Sequence, residues 1–166
     1  MGQDTNTTYP PSLALRALEL ARSKIGEREV GRNQGPIVEW SLKGLTKRPP
    51  GAWSHWGAYF MWQCLLRAAQ TPLQEQEVKS LAAGSCTDSW RHLAASGWAH
   101  KTPITPAPGW LVFFAQEDKR LYHCGFVEKV EAEQLHTIEG NHGDRVAAAT
   151  YALTHPTLYG FAEVRL

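Results

Sequence analysis

"GAWSHWGAYFMWQCLLRAA", residues 51–69, decides how this chain is read. A proline-glycine break precedes it, and Ser54 is a small polar residue of the kind that opens a helix. The aromatic and aliphatic residues behind it predict a helix over 54–69 with a broad apolar face. Such a helix start has two uses. It can anchor a core helix, or it can seat a nucleophile whose anion is favoured by the helix dipole and the free N–H groups of the first turn. The flanking segments have to decide between them.

On the N-terminal side the pattern is helical. From Ser12, an N-cap residue, Leu13, Ala17, Leu20, Ala21 and Lys24 recur at helical spacing up to Gly26, a stop. "GPIVEWSLKGL" (35–45) predicts a short helix with Pro36 in its first turn and Ile37, Trp40 and Leu45 inward. "TKRPPG" (46–51) is a turn. Beyond residue 69 a fourth helix is expected near 87–95, and "KTPITPAPG" (101–109) reads as a connector without regular structure.

After Gly109 the period changes. "WLVFFA", "LYHCGFVEKV", "QLHTIEG", "RVAAATYAL" and "LYGFAEV" are short β-branched or aromatic runs, with "EDKR" and "NHGD" as hairpin connections. The expected fold is α+β: an antiparallel sheet covered on one side by the N-terminal helices. Residues 1–11 are expected to be a flexible lead-in, and 12–166 a single domain. No internal repeat is visible.

Composition excludes some partners. A formal net charge of +1 gives no basis for binding nucleic acid or an anionic membrane. No apolar run approaches the ~18 residues of a membrane span. The opening "MGQDTNTTYPPS" lacks the basic and apolar segments of a secretory signal, so work outside the cytoplasm is expected to need another route. Cys64, Cys86 and Cys124 are odd in number and widely spaced, and they read as unpaired thiols, two of them buried.

A helix start, a histidine on one strand and a carboxylate or amide on the next can together form a nucleophilic site. The histidine is base and then acid, and the third group orients its ring. The candidates are Ser54, His123 in "LYHCGFV", and Glu139 or Asn141 in "HTIEGN". Glu139 and Asn141 are two apart and share a strand face if the strand runs that far. The plain alternatives are a structural strand histidine and an ordinary turn. A zinc site from His123, Glu139 and His142 is a further alternative, although no HExxH or paired-cysteine spacing supports it.

"PAPGWLVFF", "YHCGFVEKV", "HTIEGNHGDRV" and the closing "YGFAEV" resemble, in order and spacing, the CHAP-type cysteine amidases and peptidases, papain relatives found in phage lysins and bacterial wall hydrolases. "KIGEREVGRNQGPIVEWSLKGL" is similar to the lead-in that such proteins place before a "pWCaaFVxW" nucleophile helix. The resemblance spans roughly residues 12–164. It implies a papain-like fold, His123 as general base, Glu139 as its orienter with Asn141 in reserve, and the backbone N–H of Ser54 as an oxyanion donor.

Two departures stand out. Trp110 occupies the place of the family's aspartate, and Ser54 follows Trp53 where a cysteine is expected. Cys64 cannot substitute, lying ten residues further along the helix, ~15 Å away. Cys124 follows His123 on a strand and points to the other face. Ser54 is then an engineered replacement of cysteine, a natural nucleophile, or the mark of a degenerate binding domain. His55 is assigned a structural or substrate-contact role.

The resemblance implies a peptidoglycan hydrolase cutting an amide bond of the stem peptide or at its junction with the sugar, without cofactor. It further implies a monomer made without a signal peptide, acting on the cell wall after release or secretion. An inhibitory immunity protein would be a partner if the chain is a secreted effector.

Overall fold

Ser12 caps the first helix, α1 (Leu13–Ser23), its hydroxyl accepting the Leu15 N–H at 3.3 Å. These positions come from a computed structural model that describes residues 11–166. The lead-in expected over 1–11 therefore falls, apart from Pro11, outside the described residues. Leu13, Ala17, Leu18 and Ala21 form the buried stripe of α1. Helix α2 (Pro36–Leu42) starts at its proline and buries Ile37, Val38 and Leu42. Both helices pack on α3 (Gly57–Ala68), which is buried almost all round.

Two helical expectations need correction. The third helix begins at Gly57, not at Ser54, because residues 51–54 close a turn of their own. An additional helix, α4 (Pro72–Leu81), follows it. Thr71 caps α4 by accepting the Gln74 N–H at 3.1 Å, and Val78 is its one buried residue. A helix so thinly anchored carries no apolar period to read. Helix α5 (Cys86–Ala95) lies where the fourth helix was expected, with Ser85 as its cap.

The strands are β1 (Ala99–Lys101), β2 (Leu111–Ala115), β3 (Leu121–Glu131), β4 (Gln134–Glu139), β5 (Ala147–Ala152) and β6 (Leu158–Ala162). They form one antiparallel sheet in the order β1-β6-β2-β3-β4-β5. Three-residue β1, which ends on the first residue of the expected irregular connector, extends the sheet beside β6. The fold is thus α+β with the papain-like layering of N-terminal helices on a C-terminal sheet.

Alternation along β2 divides the core. Leu111 and Phe113 meet the helices together with Cys124 and Phe126 of β3. Val112 and Phe114 face the other way and join Val127, Leu135, Leu158 and Phe161 in a second, smaller cluster. The sheet therefore buries apolar side chains on both faces, although helices cover only one. The chain after α1 also docks against the segment after β4: Gly26 N–H donates to Val146 O at 2.9 Å, and Glu29 N–H to Asp144 O at 3.0 Å. This pairing brings residues 28–33 beside the start of α3.

Candidate active site

The site forms where the start of α3 meets β3 and β4. His123 on β3 stacks its ring on Phe114 and Tyr122, which hold the imidazole in place. Its Nε2 lies 2.6 Å from Glu139 Oε1, at the end of β4. The two atoms touch although the N–H axis is not aimed squarely at the oxygen.

Glu139 is fully buried, which an unpartnered carboxylate would not tolerate. Thr137 donates to its Oε2 at 2.5 Å and Tyr151 donates to the same oxygen at 3.0 Å. His142 Nδ1 lies 3.6 Å from Oε1. Burial pushes the Glu139 carboxyl up, but the His123 contact, the Thr137 hydroxyl and the His142 ring outweigh it, and the net position is below the usual carboxylate range. The same geometry raises the Tyr151 phenol, first through burial and then through the adjacent carboxylate charge. Gly125 makes room for this arrangement. A Cβ there would stand 2.7 Å from Glu139 Cγ and 2.8 Å from Ile138 O, so a side chain at 125 would evict the carboxylate.

The other ring nitrogen of His123, Nδ1, faces Gly57. An ideal Cβ on Gly57 would lie 3.7 Å from that nitrogen, 3.1 Å from Gly140 O and 3.8 Å from Asn141 Cβ. Position 57 is therefore where a side chain would meet the imidazole, and it carries none. The N–H groups of Gly57 and Ala58 open the helix and make no backbone hydrogen bond among the described residues, leaving them free for an anion.

Ser54 is somewhere else. It is fully buried, its Oγ accepts the Gly51 N–H at 2.9 Å, and its proton is shared between Gly51 O at 2.7 Å and Asn33 O at 3.1 Å. It does not line the cleft. Its own N–H donates to Gly51 O at 2.9 Å, so it is not open to an oxyanion either. The expectation that Ser54 sits at the nucleophile position is corrected: it closes a turn.

Asn141 also departs from expectation. Strand β4 stops at Glu139, and Asn141 has φ 57°, so the strand alternation that would align it with Glu139 is broken. Glu139 rather than Asn141 lies against His123, while Asn141 borders the cleft next to position 57. His55 is exposed at the cleft mouth.

The cleft around His123 has a volume of about 600 Å³. A second groove of about 680 Å³, flanked by Arg28, Arg32 and Asp144, shares His55, Asn141 and Gly143 with it, so the two run together past position 57. One ligand atom from each of His123, Glu139 and His142 falls within 4.8 Å of the others, and this trio could hold a zinc-type cation.

Sequence reasoning missed Gly57, Thr137, Tyr151 and Gly125. A signal for Gly57 was present: "WGAYF" at 56–60 fits the family's "WCaaF" residue for residue, with glycine in the cysteine's place.

A helix start facing an imidazole that is backed by a buried carboxylate is the site architecture of a papain-like hydrolase. The CHAP domain family model matches residues 49–141, more than half of the chain, and the chain belongs to that family. Among solved structures, Ly7917 is similar with a TM-score of 0.49 at 15% identity, covering 91% of this chain and 62% of that one. A structure of Ly7917 with the hydrolyzing product of MDP has a TM-score of 0.48 at 14% identity, covering 90% and 62%. The chain thus spans less than two thirds of the length of these neighbours. None of the curated proteins compared matches it.

Proposed function

We propose that this chain carries a peptidoglycan hydrolase site directed at an amide bond of the wall's stem peptide, and that glycine at position 57 leaves it able to hold that substrate but not to cut it. The observation that carries this reading is the placement of Gly57. Its missing Cβ points at His123 Nδ1 while the opposite ring nitrogen meets a buried carboxylate.

With cysteine at 57, the thiol proton would pass to Nδ1 and the thiolate would attack the amide carbonyl. The oxyanion would be met by the Gly57 and Ala58 N–H groups. His123 would return the proton to the departing amine, and water would then hydrolyse the thioester. Glu139 keeps the proton on Nε2 throughout and stabilises the imidazolium. Serine in that role would lack the easy ionisation of a thiol, and here no serine occupies it. In this reading the chain works on the wall after release or secretion, as a lysin or as an effector.

The test compares the chain with Gly57→Cys. The 3.1 Å approach of Gly140 O requires that loop to give by a few tenths of an ångström. Purified peptidoglycan is incubated with each protein, and new termini are identified by mass spectrometry. Gly57→Cys is expected to release muropeptides and to do so equally in chelator, whereas the unaltered chain binds wall without releasing fragments. A folded Gly57→Cys protein that neither binds nor cuts wall would overturn the proposal, and activity abolished by chelator would favour the zinc alternative.

A further inference from the structure

A second pair of reactive side chains lies behind the cleft. Cys86 and Cys124 come from different elements, 38 residues apart in the chain, and their sulfurs are 3.2 Å apart. Both are free thiols. Cys86 is the first residue of α5, half-buried, and borders the same cleft as His123. A small reagent entering the cleft therefore comes up against Cys86, whereas Cys124 is sealed off. Cys124 follows His123 on β3 and is fully buried on the helix-facing side of the sheet. The hydrogen-bonded contact with Cys86 and then burial hold the Cys124 thiol well above its ordinary range. Cys64 is buried within α3 and has no such contact among the described residues.

We infer that Cys86 and Cys124 are a dithiol site that closes to an intramolecular disulfide when the chain meets a small disulfide oxidant such as glutathione disulfide. The division of roles follows from access. Cys86, the cysteine at the cleft, attacks the oxidant as thiolate, forming a mixed disulfide and expelling one thiolate. Cys124 then attacks the Cys86 sulfur and expels the second. The two cysteine protons end on the two released thiols. The protein sulfurs lose two electrons, and the oxidant is reduced by the same two. The sulfurs must approach by roughly 1 Å to bond, a movement that torsion of the half-buried Cys86 supplies.

The consequence is a staple across the back of the cleft. Gly84, Ser85 and Cys86 form one wall, and the bond ties that wall to β3 at the residue after His123. It would fix the spacing between wall and imidazole, and it would constrain the unfolded chain by closing a long loop. The inference does not depend on the hydrolase reading, because its readouts are mass and stability rather than turnover.

The experiment uses the full chain, reduced and then incubated with glutathione disulfide. The expected product is a monomer lighter than the reduced chain by two hydrogens. After alkylation in denaturant it carries one label, on Cys64, and digestion yields a cross-linked peptide joining Cys86 to Cys124. Its Tm should exceed that of the reduced chain by on the order of 5–10 °C. Cys86→Ser and Cys124→Ser should each lose both the mass change and the Tm shift. A glutathione adduct persisting on Cys86, a cross-link to Cys64, disulfide-linked dimers, or three alkylated thiols after oxidation would each overturn the inference.

Discussion

Replacing Ser54 by alanine separates a turn-closing hydroxyl from a nucleophile. The hydroxyl accepts the Gly51 N–H and donates within the same turn or across to Asn33, and it has no solvent to fall back on. Truncation removes these bonds and strands the Gly51 N–H, at a cost of about 1–3 kcal/mol. For a chain of this size each kcal/mol moves Tm by roughly 2–4 °C, so the fall should be on the order of 3–10 °C. Urea titration followed by circular dichroism reads the change, with the midpoint lowered and the slope unaltered. In the Gly57→Cys background, Ser54→Ala should retain wall-digesting activity within about a factor of ten, below ~1.4 kcal/mol of barrier. Ser54→Cys alone should create none. The reasoning fails if Ser54→Ala leaves stability within about 0.5 kcal/mol of the parent, or if Ser54→Cys gains activity while Gly57→Cys does not.

Glu139 lies against the imidazole, whereas Asn141 only borders the cleft. In the Gly57→Cys protein, Glu139→Gln should lower kcat by a hundredfold or more, about 3 kcal/mol, and Asn141→Ala by much less; steady-state kinetics on muropeptides decides, and the reverse order would refute the ranking. The depressed Glu139 pKa also makes a pH prediction. Its ordinary value is 4.5 and its folded value is lower, so the ionised group's contribution is complete above 4.5 and is lost as pH falls through the folded value. Denaturation midpoints measured from about pH 6 to about pH 3 should therefore fall more steeply in the unaltered chain than in Glu139→Gln, and equal slopes would contradict the assignment. Gly125→Ala should cost about 1–3 kcal/mol by overpacking against Glu139 and Ile138. In the Gly57→Cys background it should also lower kcat, and an unperturbed rate would show that the carboxylate has other ways to reach His123.

Periodic segments were legible because their period is dictated by burial. The stripe Leu13–Ala17–Ala21 and the runs that became β2 to β6 each place apolar side chains where one face must leave water. α4 and β1 were not legible for the same reason in reverse. One buries Val78 and the other is a three-residue edge, so neither leaves a pattern. The start of α3 was misread because its position is set from outside the segment. The turn at 51–54 is held by Asn33, whose carbonyl receives Ser54 and whose side-chain amide donates to Ala52 O at 3.3 Å. That loop is itself held by the pairing of residues 26–29 with 144–146. A cap predicted from its own tetrapeptide cannot register a partner twenty residues upstream.

That His123 and Glu139 would meet was legible by type and order; what makes the meeting possible is packing. Thr137, Tyr151 and Gly125 have no motif, yet they decide whether a carboxylate can sit uncovered by water against an imidazole. Their combined effect bears on why glycine at 57 reads as a missing nucleophile rather than as a dismantled site. Burying a charge costs several kcal/mol unless it is paired and hydrogen-bonded, and here Oε2 accepts two hydroxyls while Oε1 lies 2.6 Å from His123 Nε2. A core with no task for His123 would be served as well by apolar residues of similar volume. The imidazole's remaining nitrogen looks at the first residue of a helix whose first two N–H groups make no backbone hydrogen bond among the described residues. On the proposed reading, His123 and Glu139 would form the base and its orienter, and position 57 would lack only the attacking side chain.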